Sequence, residues 1–229
     1  MFIFRLNKLV IFDNGSIKSG IGLFGHDFSD VKFLSFVTPK NIDLPNMDKY
    51  VAAIDQASRA AILNQAIAQV VASRDITQVS RVTDHSVLTF GDTGYSLFES
   101  DAIPEAFNWT FLAIKSNQGF RDEGAAINEV VNDPGFGGFT ANLLIVLSAA
   151  ANPAYAAGVE IAKFAVQVAS KNMMKTGDRQ LGLIYMSLDK IEHYPHGERK
   201  IDGVPDLTNN MTFDYSVFGY EPAVPAGGQ

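Results

Sequence analysis

The sequence predicts an α+β protein, an antiparallel β-sandwich of about eight strands that carries helical insertions. Three observations predict it. Stretches rich in Phe, Ile and Val, bounded by turn residues, recur at the start, middle and end of the 229-residue chain. Two Ala-rich segments, 46–74 and 121–172, interrupt them with helical spacing. Both terminal segments read as strands, and a strand is completed only by a neighbour, so the two ends are expected in one β structure. Residues 1–221 are then expected to form one domain, with 222–229 a Pro/Gly/Ala-rich tail.

The first strand is expected over residues 2–12, closed by the turn chemistry of Asp13-Asn14-Gly15-Ser16. Strands over 20–24 and 31–37 follow, separated by a turn at 26–30. From Met47 to Arg74 there is no Gly or Pro, and Ala60, Leu63, Ile67, Val70 and Val71 recur at helical spacing. Asn46 is the expected N-cap, with Asp48 near the positive end of the helix dipole. Residues 86–90 and 95–98 around Gly91-Asp92-Thr93-Gly94 read as a hairpin, and 106–114 as a strong strand. Helices are expected over 121–131, 142–151 and 154–170, with Pro153 in the first turn of the last. Strands over 180–188 and 211–220 close the chain, with 189–210 between them a long loop.

Composition narrows the functional classes. With 47% hydrophobic and 19% charged residues the chain is ordinary globular material, and 17 Phe against one Trp predict a Phe-rich core. A net charge of −7 with scattered basic residues argues against nucleic acid as a partner, because phosphate needs a positive footprint. No cysteine means no disulfide, thiolate nucleophile or thiolate metal site. The apolar N-terminus is broken by Arg5 and Lys8 and has no cleavage site, so the expected location is the cytoplasm, or outside by a route without a cleaved signal peptide.

Four constellations carry chemistry. Asp13, Asp27, Asp30, Asp189, Asp202 and Asp206 lie in or beside turns, and hard cations such as calcium need oxygen ligands converging from loops. Turns favour Asp in any case, and consecutive loops of an up-and-down path emerge at opposite ends. About eight strands with Asp-bearing loops resemble the C2 family of β-sandwiches. That resemblance covers the strand segments alone. It implies a loop-borne calcium and lipid surface, but the Asp-x-Asp run that calcium-binding members carry in a late loop is not here. The second constellation, His193 to Glu198 with His193, His196 and Glu198, has metal-ligand composition in a loop context.

The third is Asp133 to Thr140, a Gly-rich lead-in to a helix. It lacks the Lys-Ser/Thr of a phosphate loop and is expected to be a linker with Thr140 as the cap. The fourth is the apolar helical hairpin 139–171, whose helices are each shorter than the roughly 20 residues that span a bilayer. No nucleophile elbow is present. The expected function is a non-enzymatic binding or interaction module with a protein or lipid partner, its leading surface the 189–206 loop, calcium-assisted through the aspartates. A membrane-active or pore-forming protein that uses the hairpin, and a hydrolase with a dispersed acidic or His site, are the alternatives.

Overall fold

Phe, Trp and Tyr side chains alternate along the strands, and that alternation sets the architecture. The computed structural model of the chain describes residues 1–16, 28–44, 46–115, 123–175, 178–194 and 197–221. Nine strands and five helices lie among them: β1 (Phe2–Ile11), β2 (Ser29–Pro39), α1 (Met47–Ala52), α2 (Gln56–Ala72), β3 (Asp75–Val82), β4 (Ser86–Thr89), β5 (Tyr95–Ser100), β6 (Ala106–Lys115), α3 (Glu123–Val131), α4 (Phe136–Ala149), α5 (Pro153–Lys175), β7 (Arg179–Asp189), β8 (Gly197–Pro205) and β9 (Met211–Gly219).

All strand pairs are antiparallel. One sheet has the order β4-β1-β9-β8, with β5 also on β1, and the other has the order β3-β2-β6-β7. The terminal strands β1 and β9 pair along their whole length, as expected, and the Met1 amine donates to the Tyr220 carbonyl at 2.7 Å.

Strand β6 shows why two layers pack on the second sheet. Its residues Phe107, Trp109, Phe111 and Ala113 enter one apolar cluster, shared with Phe2, Phe4, Leu6, Phe213 and Val217 of the first sheet. Its Leu112 and Ile114 enter another, shared with Phe36 and with Leu63, Ile67, Leu143, Ile161 and Val166 of the helices. Side chains alternate between faces with period two, so a strand covered on both sides is apolar along most of its length. Between the sheets Phe4 lies 4.9 Å from Phe107 and 5.2 Å from Trp109, and Trp109 meets Phe213 edge-on at 5.2 Å. The buried Trp109 indole donates to Ser35 Oγ at 2.8 Å, which satisfies its one polar group. The helical insertions thus cover the outer face of the second sheet.

Several element boundaries differ from expectation. The stretch 47–74 is two helices: Asp55 accepts from the Ser58 amide at 2.7 Å, and this cap starts α2 after a break at Ala53 and Ile54. Asn46 precedes α1 in a left-handed conformation and makes no side-chain cap. Helix α4 begins at Phe136, so Gly137 and Gly138 are helical, and Thr140 bonds back to the Gly137 carbonyl inside it. The segment expected to be loop holds β8, an exposed charged edge strand with no apolar alternation to announce it. Pro153 does open α5. The strand expected over 20–24 and the tail 222–229 lie outside the described residues. No helix among those described is long and apolar enough to cross a membrane.

Candidate functional site

Strand β7 is the outer strand of its sheet, and the chain dresses that edge with two turns. At the near end, Asp206 is buried and accepts five hydrogen bonds: from the amides of Leu183, Thr208, Asn210 and Met211 and from the Thr208 hydroxyl, at 2.6–3.0 Å. These bonds fold 206–210 against the strand, where the Leu207 amide donates to the Leu183 carbonyl at 2.8 Å. Asn210 Nδ2 donates to the Leu181 carbonyl at 2.9 Å, and Thr208 Oγ1 lies 3.2 Å from the same carbonyl.

At the far end, Asp189 Oδ1 accepts from the amides of Ile191 and Glu192 at 3.0 and 2.9 Å. The Glu192 amide holds the Asp189 carboxyl below the usual aspartate range against the opposing effect of desolvation, with further lowering from the nearby His193 and the Ile191 amide. His193 Nδ1 lies 3.1 Å from both the Asp189 amide and Asp189 Oδ2. It accepts from the amide in one neutral tautomer and donates to the carboxylate when protonated there. Arg199 of β8 donates to the carbonyls of Glu192 and His193 at 2.7 and 3.0 Å. The buried Tyr194 hydroxyl donates to the Pro104 carbonyl at 2.9 Å, and burial pushes its pKa far above the ordinary tyrosine value.

The six aspartates have separate employments. Asp206 and Asp189 pin the two turns. Asp13 accepts from the Gly15 amide and pairs with Arg179 at 3.3 Å, while its backbone is tied to Asn210 next to the Asp206 turn. Asp30 accepts from the Arg81 amide and from Gln78. Asp202 is exposed in the irregular part of β8, close enough to Lys8 to help raise that lysine's pKa, although Asp214 dominates the shift. Asp27 lies outside the described residues. Among the described residues, the one set of three metal-ligand groups with their atoms within 4.8 Å of one another is Asp189, Glu192 and His193. His196 is outside the described residues, and Glu198 stands 3.7 Å from Lys200.

Asp133 is buried at the head of α4, where it accepts from the Gly135 amide at 2.7 Å and from Lys171 at 3.0 Å. That carboxylate occupies a position an anion would need. The groove between α4 and α5 brings Asp133, Glu160, Lys163 and Lys171 together over Phe139 and Phe164. Each carboxylate there is paired with a lysine, Asp133 with Lys171 and Glu160 with Lys163.

What the sequence reading missed are apolar residues among polar ones. Ile191 and Leu207 stand in the two pinned turns and are 91% and 62% exposed. Their only signal in the sequence is an aliphatic residue inside an otherwise polar turn, Asp-Lys-Ile-Glu and Asp-Leu-Thr-Asn. Comparison with protein-family models, curated proteins and solved structures finds no match for this chain.

Proposed function

We propose that the protein is a non-enzymatic binding module, and that its recognition surface is the β7–β8 side of the two-sheet scaffold. The supporting observation is that Ile191 and Leu207 project into solvent from turns fixed by the Asp189 and Asp206 hydrogen bonds. Scattered exposed aliphatic residues are ordinary on protein surfaces. On a pinned turn such a residue loses little conformational freedom on docking and suits an anchor for a protein partner.

A photo-crosslinking amino acid placed at position 191 or 207, in the cells that make the protein, tests the proposal. The expected result is a discrete adduct from each position, none from Ile54 (more exposed than either, on the α1–α2 connection), and loss of the 191 adduct on Leu207→Ser. Equal labelling at all three positions, or none at 191 and 207, contradicts it. Asp13, Asp189 and Asp206 already accept several donors each, which supports a module that works without calcium. A calcium-assisted form requires the melting temperature to rise with calcium by mass action, whereas an unchanged melting temperature at millimolar calcium leaves the module and removes the metal.

A membrane-active reading is favoured by one observation. From Pro134 to Val159 the chain has no charged residue, and Ile145 of α4 is 70% exposed. Against it, α5 buries Ala157, Ile161, Ala162 and Val166 in the helical layer, so release of the hairpin would strip that core. Dye leakage from liposomes distinguishes the two: leakage that disappears in Ile145→Glu favours the membrane reading, and intact liposomes across pH remove it.

A further inference from the structure

Between the two pinned turns no strand among the described residues pairs with the outer edge of β7. Leu183 donates its amide to Asp206 and accepts from Leu207, and Asp189 bonds His193 through both backbone groups, so these odd-numbered residues face away from β6. The β6–β7 register is regular from Gly182 to Asp189, and backbone direction alternates along a strand. The N–H and C=O groups of Tyr185 and Ser187 therefore face the same outer edge, where no group among the described residues bonds them. Four unpaired main-chain groups lie in a slot closed at Leu183 by 206–210 and at Asp189 by 189–193. The six residue steps from Leu183 to Asp189 make the slot about 20 Å long.

The other strand at this side is protected in the usual way. Strand β8 carries Glu198, Arg199, Lys200 and Asp202, an irregular register between Ile201 and Val204, and Pro205. The β7 slot has no such device: Tyr185, Met186, Ser187 and Leu188 are uncharged, and Ser187 is exposed.

We infer that this slot takes an extended segment of a partner protein as an added strand, paired through the backbone of Tyr185 and Ser187. This rests on the binding surface proposed above and names its partner's conformation. Main-chain pairing is the chemistry that satisfies four backbone groups in register, and side chains at alternate positions then supply selectivity. The chain itself shows that the edge accepts such a partner, since Leu207 already pairs with Leu183 in the adjoining position. A second copy's β7 fits poorly, because each copy bears its own two turns at the ends of that edge. An antiparallel approach would set the turn at Leu183 against the partner's turn at Asp189. A short segment of about six residues reaches from one turn to the other, with Leu207 at one end and Ile191 at the other.

The probe is a random heptapeptide library displayed on phage and selected on the intact protein. Enriched peptides are expected to slow amide exchange at Tyr185 and Ser187. They should bind at least tenfold more weakly when alternate peptide amides are N-methylated, and at least tenfold more weakly to Ser187→Pro. That substitution removes an outward N–H that no ladder bond uses. The N-methylation arm uses the unmodified protein, so a folding defect in Ser187→Pro leaves the test intact.

Failure to enrich any peptide over an unrelated control protein overturns the inference, as does binding indifferent to N-methylation. A concentration-dependent dimer that protects the same two amides also overturns it, by putting a second copy in the slot. Peptides that lose affinity with Ile191→Ser and Leu207→Ser but not with N-methylation would keep the binding module and remove strand addition.

Discussion

Asp206 shows how much one turn carboxylate can organise. Four backbone amides and one hydroxyl converge on it, and each loses its partner when the side chain is removed. Asp206→Ala should cost about 2–4 kcal/mol, at the upper end for single substitutions, read by chemical denaturation. A cost within about 0.5 kcal/mol would show that the turn holds without it. Asp189 makes a pH prediction. Its folded-state pKa is depressed, so its contribution is complete above the ordinary aspartate value and is lost as pH falls through the lowered one. The amide resonances of Ile191 and Glu192 should accordingly titrate with a midpoint below that of an unstructured aspartate, and the step should vanish in Asp189→Asn. At this scale the sequence shows that Asp belongs in turns. Which carboxylates become hubs depends on amides distant in the chain, such as Leu183 for Asp206, and spacing does not report those.

Elements were legible where burial was strong. The runs of β1, β6 and β9 carry Phe and aliphatic residues because a facing layer covers them, and that is the pattern that reveals a strand. Strand β8 was illegible for the opposite reason, since an edge strand in water is selected for charge. The long helical stretch after residue 46 read as continuous because Ala53, Ile54 and Asp55 include no Gly or Pro. The interruption comes instead from the competing bond of the Asp55 side chain to the Ser58 amide. Asp55→Ala should destabilise by about 0.5–2 kcal/mol and should fray the first turn of α2, visible as faster exchange at Ser58. Unchanged exchange there would assign the break to tertiary packing. Gly137 and Gly138 looked like a linker because glycine disfavours helix, yet they lie within α4, in a layer where Leu143 and Leu147 provide the burial.

For the whole molecule, two antiparallel sheets share one aromatic layer and the helices close the outer face of the second, so three layers enclose two cores. The α+β class and the joining of the terminal strands were legible, because hydrophobic patterning marks strands and strands must find partners. The candidate site was only half legible. The 189–206 region was singled out for its polarity, but a strand edge is a property of backbone direction, which side-chain patterning does not encode. Strand addition at β7 requires that edge to be open at two residues. Amide hydrogen exchange of the free protein, read residue by residue, tests it most directly. Ile184 and Met186, bonded into the ladder with β6, should exchange at least about 100-fold more slowly than Tyr185 and Ser187. Equal protection at all four amides would mean that the edge is already filled, and would contradict the account.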